Sequence, residues 1–213
     1  SGGIDSSVVS TLCANTGRKT IVLTMPIKQI KSQHDLSLLH AKWLKNKFEN
    51  VEHHLLEMDK VFNSFSEVLN NFDNEHGYAN SRARLRMATL YQVAAANSGI
   101  VVGTGNKVED FGVGFYTKYG DGGVDISPIA DCTKTQVWEL GRHLGISEQI
   151  INTPPTDGLW NDGRNDVQQL GMSYDELEKA MRNKNDPNYK KYLEIREKNL
   201  HKMKPIPVCT FNE

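Results

Sequence analysis

The chain opens on Ser1-Gly2-Gly3-Ile4-Asp5-Ser6-Ser7, a glycine-rich run that leads directly into apolar residues at helical spacing. Glycine lets the backbone approach a ligand closely, and the N–H groups at a helix start form a positive cradle for phosphate. A bare phosphate would repel Asp5, so this carboxylate suggests a Mg²⁺ ion between the two. No Gly-Lys-Ser/Thr follows, which excludes a Walker loop. The run therefore predicts a phosphate site, and the alternative is a plain glycine turn in which Ser or Asp caps a helix.

Composition restricts the class of protein further. A length of 213 residues fits one domain, or one domain with a helical appendage. The net charge of −1 gives no general attraction to nucleic acid or membrane, and no apolar run is long enough to span a bilayer. Cys13, Cys132 and Cys209 are far apart and form no CxxC pair. This cysteine usage argues against a zinc site and for a reducing compartment, so we expect a cytoplasmic location.

Short apolar runs alternate with helical patterns through the first half of the chain. Residues 20–25, 51–58 and 100–104 are predicted to be strands of a parallel sheet. Helices are predicted over residues 6–15, from 34, around 62–69, from 80, after 133 with a stop at Gly145, after a capping box at Ser173, and over about 187–201. The polar, lysine-bearing loop over residues 27–33 is predicted to be a lid. A phosphate loop of this kind normally follows a strand, so we expect residues upstream of Ser1 that this sequence does not include.

Three arginines lie near the start of the predicted helix at residue 80. Arg82 and Arg86 are four residues apart and share a face, whereas Arg84 lies about 200° around the helix from each of them. Arg84 lines up with a small and apolar stripe: Met87, Ala88, Tyr91 and Ala95. We expect this stripe to be the packed one. A buried arginine needs an anionic partner, so Arg84 either contacts a ligand, pairs with an internal carboxylate or reaches out to solvent.

Polar and charged residues follow the third predicted strand. Ligands of open α/β sheets gather outside the carboxyl ends of strands, where Thr104, Asn106 and Glu109 are expected. The glycine-rich run over residues 115–125 comes next and carries three charged residues: Lys118, Asp121 and Asp125. Long loops of this kind usually serve a site, and a solvated turn is the alternative.

The first turn of the helix that follows Thr133 contains Lys134, where the helix dipole disfavours a cation. A phosphate nearby would remove that conflict. Residues 152–166 contain two prolines and little periodicity, so they are predicted to form a loop that orders with ligand.

Together these motifs resemble those of bacterial ammonia-dependent NAD⁺ synthetases, within the ATP pyrophosphatase superfamily. The opening loop resembles the pyrophosphate loop of the superfamily, and residues 103–109 resemble its second nucleotide motif. Residues 115–125 match the most specific signature of the family, and residues 154–159 match its late lid. The resemblance implies a Rossmann-like three-layer α/β/α fold with a parallel sheet and C-terminal helices. It also implies one domain over residues 1–213, with an N-terminal strand or helix missing from this sequence.

The activity that the resemblance implies is the ATP-dependent amidation of deamido-NAD⁺ by ammonia. The nicotinate carboxylate attacks the α-phosphate of ATP and releases pyrophosphate, and ammonia then displaces AMP from the acyl-adenylate. Mg²⁺ is the implied cofactor and ATP a co-substrate, with no nucleic acid or membrane partner. A homodimer is expected from the resemblance and from a second apolar helix face around Leu90 and Val93.

The resemblance also assigns roles position by position. ATP would be bound by Ser1, Gly2, Gly3, Ile4, Asp5, Ser6, Thr104, Lys134 and Thr156. Deamido-NAD⁺ would be bound by Arg84, Lys118, Asp125, His201 and Lys202. Asp5 and Glu109 would bind Mg²⁺, and Asp121 would bind or deprotonate ammonia.

Three alternatives remain open from the sequence. The chain could be the synthetase module of a glutamine-dependent NAD⁺ synthetase, whose glutaminase domain would lie upstream. It could be another ATP pyrophosphatase, such as GMP synthetase, because the opening loop is shared with those enzymes. It could also be a non-catalytic nucleotide-binding regulator of the universal-stress type, which would bind ATP and release neither AMP nor pyrophosphate.

Overall fold

A computed structural model describes residues 1–156, 158–160 and 165–211. Two parallel strands, β1 (Thr20–Thr24) and β2 (Val51–Leu55), pair in register from Thr20 with Val51 to Thr24 with Leu55. The α-helices in the described residues are α1 (Ile4–Asn15), α2 (Lys31–Lys47), α3 (Asp59–Val68), α4 (Glu75–Ala96), α5 (Lys134–Leu144), α6 (Glu148–Ile151), α7 (Asp166–Leu170), α8 (Tyr174–Arg182) and α9 (Tyr189–Met203). A 3₁₀ turn spans Asn70–Phe72, and a π-helical turn spans Glu109–Val113.

Helix α1 lies at the centre of the packing. Its buried residues Ile4, Val8 and Val9 form one apolar core with side chains of α5 and α6. Its other end contributes Ala14 to a second core with Leu44 of α2 and Val51 of β2. Because the opening loop leads directly into α1, these two cores fix the position and direction of the loop.

The π-helical turn packs against the C-terminal helices. Val108 and Val113, both fully buried, share a core with Leu177 of α8 and Tyr192 of α9. This packing places the start of the turn, at Glu109, beside the start of α8.

Residues 100–104 do not form the third strand that the sequence predicts. Within the described chain, Val102 makes only an isolated parallel bridge with Ile126. The bridge has ladder-like hydrogen bonds from Gly103 N to Ile126 O (2.8 Å) and from Asp125 N to Val101 O (3.0 Å). The backbone N–H of Val101, however, donates to the carboxylate of Asp125 at 2.7 Å. The side chain of Asp125 therefore accepts from a backbone N–H that a longer pair of strands would need for its own hydrogen bonds. The glycines at positions 103 and 105 also disfavour a strand.

The predicted stripe on α4 is wrong. The buried residues of this helix are Ala79, Arg82, Ala83 and Met87, whereas Arg84, Ala88, Tyr91 and Ala95 are exposed. The guanidinium of Arg82 lies 5.3 Å from the ring centre of Phe62 and donates to the backbone oxygen of Leu159 at 2.6 Å. A guanidinium whose donors bind backbone oxygens can be buried, so a face that carries arginines is the packed one.

Several element boundaries differ from the sequence-based ones. Helix α2 begins at Lys31, inside the predicted lid over residues 27–33, and α4 begins at Glu75 because Asn74 caps it by accepting from Gly77 N at 2.7 Å. The predicted stop at Gly145 is confirmed, with a left-handed φ of 77°. Residues 157 and 161–164 of the predicted loop over 152–166 lie outside the described residues. No helix in the described ranges combines the length and apolar character that a membrane span requires.

Candidate active site

The opening loop presents the uncapped N-terminus of α1. Gly3 is the N-cap residue, with extended backbone, and no side chain accepts a hydrogen bond from the first turn. The capping alternative considered above is therefore not what the structure shows. Gly2 has φ +85°, and a Cβ there would lie 2.6 Å from the backbone oxygen of Gln33 and 2.9 Å from Ser37 N. Only glycine allows this loop to lie against the start of α2, with the free N–H groups of α1 facing outward for an anion.

Three charged side chains meet beside this loop. Lys134 Nζ lies 2.6 Å from Oδ2 of Asp5 and 2.7 Å from Oε1 of Glu109. Lys134 is 1% exposed, and both carboxylates are largely buried. Each charge comes from the first turn of its element: α1 for Asp5, the π-helical turn for Glu109 and α5 for Lys134.

The local charges set the protonation states of this trio. Burial by itself lowers the pKa of Lys134, but the two carboxylates outweigh burial and raise this pKa well above its ordinary value. Burial raises the pKa of Glu109, but the ammonium of Lys134 and the hydrogen bond from Tyr174 lower it below its ordinary value. At Asp5, burial dominates over the attraction of Lys134 and raises the pKa. The charged state of the trio therefore depends on the ion pairs that Lys134 makes.

Two neutral side chains hold the carboxylates in place. Asn106, which is fully buried, donates from Nδ2 to Oδ1 of Asp5 at 3.0 Å, and its Oδ1 accepts from the backbone N–H of Glu109. The hydroxyl of Tyr174 donates a short hydrogen bond to Glu109 and lies 2.9 Å from Oδ2 of Asp166. Tyr174 and Asp166 were not among the predicted site residues. The capping-box pattern at Ser173 could have drawn attention to Tyr174, because it starts a helix there.

The residues fit a divalent cation bound together with a nucleotide. Mg²⁺ prefers oxygen ligands and is usually held by one or two carboxylates with phosphate oxygens and waters completing the shell. Asp5 and Glu109 supply two carboxylates within 2.7 Å of a single atom. Among the residues that the structure describes, no group of three or more His, Cys, Asp or Glu side chains could hold a metal ion by itself. The remaining ligands would therefore have to come from the nucleotide and water.

Arginines of α4 hold the two predicted lids. Arg86 donates to the backbone oxygen of Met25 at 3.0 Å and to Oε1 of Gln29 at 2.9 Å, at the first lid. Arg82 donates to Leu159 in the late lid. The four-residue spacing predicts that both arginines share one face, but the resemblance assigns a role to Arg84 alone, so the lid contacts of Arg82 and Arg86 were not predicted.

Comparison with known proteins identifies the family. The NAD synthase profile matches residues 1–208. The chain belongs to the NAD synthase family. A relative in Sulfurisphaera tokodaii, an NH₃-dependent NAD⁺ synthetase, is 36% identical over 200 residues, which cover 92% of this chain and 66% of the relative. The chain thus spans just under two thirds of that relative's length. Membership confirms the predicted family and the ligase class of enzyme.

Solved structures of NAD synthase relatives confirm the mixed α/β fold with its parallel sheet. NMN synthetase from Francisella tularensis superposes with a TM-score of 0.91 at 30% identity, over 99% of this chain and 87% of that one. NH₃-dependent NAD synthetase from Campylobacter jejuni superposes with a TM-score of 0.75 at 25% identity, with the same coverage of both chains.

Hydrogen bonds link three of the five residues that the resemblance assigns to deamido-NAD⁺, and a fourth, Lys202, contacts the same loop. Arg84 Nε donates to the backbone oxygen of Lys118 at 3.1 Å, and Lys118 Nζ donates to the backbone oxygen of His201 at 3.2 Å. Lys202 Nζ donates to the backbone oxygen of Tyr116 at 2.8 Å. The end of α9 therefore lies against the signature loop over residues 115–125.

Asp125 and the remaining predicted residues lie at the edges of this arrangement. Asp125 accepts from Val101 N and also from the hydroxyl of Tyr91, at 3.1 Å. Asp121 is exposed and accepts from Thr117 N at 2.9 Å. Thr156 Oγ1 accepts from Gly158 N at 3.1 Å. Thr104 is partly buried and follows the isolated bridge, so it stays near the end of the segment where the sequence placed it.

Proposed function

We propose that this chain catalyses the ATP-dependent amidation of deamido-NAD⁺ by ammonia, through an acyl-adenylate, to give NAD⁺, AMP and pyrophosphate. The observation that supports this most directly is the meeting of Asp5, Glu109 and Lys134 beside the uncapped start of α1. Family membership supplies the reaction class, and the site supplies groups suited to a triphosphate.

The first step needs the charge of the leaving pyrophosphate to be neutralised. The free N–H groups of α1 and the backbone of Gly2 and Gly3 supply fixed dipoles for this charge. The proposed role of Lys134 is to meet the phosphates of ATP, with Thr104 and Thr156 contacting the nucleotide. Mg²⁺, held by Asp5 and Glu109, would add positive charge at the same phosphates.

The second step needs ammonia close to the activated carboxylate. We assign deamido-NAD⁺ to Arg84, Lys118, Asp125, His201 and Lys202; hydrogen bonds between Arg84, Lys118 and His201 support this grouping. Asp121 follows Lys118 in the same loop, and its exposed carboxylate is suited to bind or deprotonate ammonium. Positioning and neutralisation, rather than a protein nucleophile, would then account for catalysis.

The proposal extends to three properties of the working enzyme. Mg²⁺ is the proposed metal because carboxylate and phosphate oxygens are the ligands on offer. A homodimer and a cytoplasmic location follow from the resemblance, and the well-separated cysteines agree with a reducing compartment.

A mass-spectrometric assay with ATP, Mg²⁺, deamido-NAD⁺ and ammonium tests the proposal. We expect NAD⁺ and AMP in equal amounts. Replacing ammonium by glutamine tests for a glutamine-dependent module, and replacing deamido-NAD⁺ by xanthylate tests for a GMP synthetase. ATP binding without AMP or pyrophosphate under any of these conditions would leave only a nucleotide-binding protein.

A second candidate acceptor is the deamidated mononucleotide, nicotinate mononucleotide, which would be amidated to NMN. The observation that motivates it is the likeness to the NMN synthetase from Francisella tularensis, at 30% identity over 99% of this chain. Both acceptors carry the same nicotinate carboxylate, so the first step is unchanged. A reaction that contains the two acceptors at equal concentration, with both products quantified, gives the ratio of kcat/KM values directly.

A further inference from the structure

The Asp5–Glu109 pair is bridged by the side chain of Lys134. Lys134 Nζ is within 2.7 Å of both carboxylates, and its ammonium lies 4.9 Å from the ring centre of Tyr174. The ammonium thus sits between the two groups that are the candidate metal ligands. A divalent ion held by both carboxylates would compete with it for the same oxygens.

The formal charges of Asp5, Glu109 and Lys134 sum to −1. Asp5 and Glu109 bring two negative charges, and Lys134 brings one positive charge in return. Buried charge without full compensation is costly, so this group of side chains favours the gain of a further positive charge.

The carboxylates have anchors that do not depend on Lys134. Asn106 holds Oδ1 of Asp5, and Tyr174 holds Glu109. Both anchors are neutral donors, so they fix the carboxylates in position without cancelling their charge. If the ammonium left, two fixed and charged carboxylates would remain facing one another.

We propose that Lys134 is a resident counter-cation that exchanges with the divalent metal at Asp5 and Glu109, so that metal binding releases its ammonium toward the phosphates of the nucleotide. This inference rests on the proposed function for the identity of the metal and the nucleotide. The backbone of Lys134 need not move, because Thr133 caps α5 in a capping box, and the flexible stem of lysine allows its ammonium to relocate.

Metal binding without nucleotide tests the exchange. Mn²⁺ serves as the probe, and calorimetry gives its dissociation constant for the wild-type protein, Lys134→Met and the double variant Asp5→Asn/Lys134→Met. We expect Lys134→Met to bind Mn²⁺ at least about tenfold more tightly than wild type, because the competing cation is gone. The double variant should lose this gain. Equal or weaker Mn²⁺ binding by folded Lys134→Met would overturn the proposal.

Amine labelling of the wild-type protein gives a second test that does not require a variant to fold. The ammonium of Lys134 should react slowly with an acylating reagent in metal-free protein, because it is buried. Saturating Mn²⁺ should speed this reaction by about tenfold or more, while Lys31, which has an 87% exposed side chain, keeps its rate. No change at Lys134 would contradict the exchange. Neither test measures turnover, so an inactive protein could still show exchange and an active one could fail to.

Discussion

At the scale of single residues, Asp5 both accepts hydrogen bonds within the site and occupies the start of a helix. It accepts hydrogen bonds from Asn106 and Lys134, and it lies in the first turn of the helix that follows the opening loop. Loss of its charge would leave Lys134 paired with Glu109 alone, while asparagine keeps the size of the side chain and one oxygen that can accept from one of the two donors. Function should therefore be more sensitive than stability at this position.

Asp5→Asn tests that expectation. AMP formation should fall by at least about a hundredfold, as expected when a charge that stabilises a transition state is removed. The far-UV circular dichroism spectrum should remain that of the wild-type protein. Asp35→Asn is the matched control, since Asp35 is exposed and forms a surface ion pair with Lys31. Normal turnover by Asp5→Asn would remove the metal and phosphate roles from this residue.

Burial of His40 should make the free energy of unfolding depend on pH. His40 is 8% exposed on α2, with Nε2 at 2.9 Å from the hydroxyl of Ser10. Burial lowers its pKa from 6.5 to about 4. The unfolded chain takes up a proton near pH 6.5 and the folded protein only near pH 4, so stability is full above pH 6.5 and falls between these values.

Denaturant titrations from pH 8 to pH 4 measure this effect. The free energy of unfolding should fall with a slope of up to about 1.4 kcal/mol per pH unit from this one group. His40→Gln should flatten that part of the profile. His143→Gln, at an exposed position of α5, should leave it unchanged. Identical profiles for wild type and His40→Gln would show that His40 is not the group that titrates.

At the scale of secondary-structure elements, the start of α5 links local chemistry to the site. Thr133 accepts from Gln136 N, and the side chain of Gln136 accepts from Thr133 N at 2.9 Å, which completes a capping box. The cap fixes the first turn of α5 and so the backbone position of Lys134. The helix dipole disfavours a cation there, and the two carboxylates offset this cost.

Thr133→Ala should destabilise the protein by about 1 kcal/mol, because the first turn loses the acceptor for one N–H group. Urea unfolding followed by circular dichroism measures the change. Thr133→Ser keeps the hydroxyl and should recover most of the loss. A stability of Thr133→Ala equal to that of wild type would mean that the capping box does not hold this helix end.

At the scale of the whole molecule, α4 has one face on the protein and one face toward solvent. Ala79, Arg82, Ala83 and Met87 are buried, and Tyr91 is exposed on the other side. Leu90 and Val93, which suggested a dimer contact, are partly buried. This leaves part of their apolar surface available to a second copy of the chain.

Sedimentation equilibrium at micromolar concentration should therefore show a homodimer. Val93→Glu should weaken the dimer by at least about tenfold, because a charge would be buried in the contact. Val68→Glu is the control, because Val68 is 81% exposed on α3 and is not part of the proposed contact. A monomer for the wild-type protein would contradict the proposed assembly.

The sequence by itself determined those helix starts and helix ends that depend on residues only a few positions apart. The glycine loop leads into a helix, and the capping boxes at Thr133 and Ser173 start α5 and α8. Gly145 ends α5 as predicted. These signals are reliable because a cap or a left-handed stop is made by side chains and backbone groups within one turn. The signature over residues 115–125 likewise identified the family, which the profile match confirms.

Only the tertiary structure decided which faces are buried and which charges meet. Arg82 is buried beside the ring of Phe62 and donates to the distant backbone oxygen of Leu159, whereas Arg84 is exposed. Lys134 lies 129 residues from Asp5 and 25 from Glu109 in sequence, and Tyr174 lies 65 from Glu109. The conformational preference of a few consecutive residues does not predict contacts between side chains that are so far apart in sequence. They arise because two apolar cores bring the starts of α1, α5, α8 and the π-helical turn to one place, where buried charges must find partners.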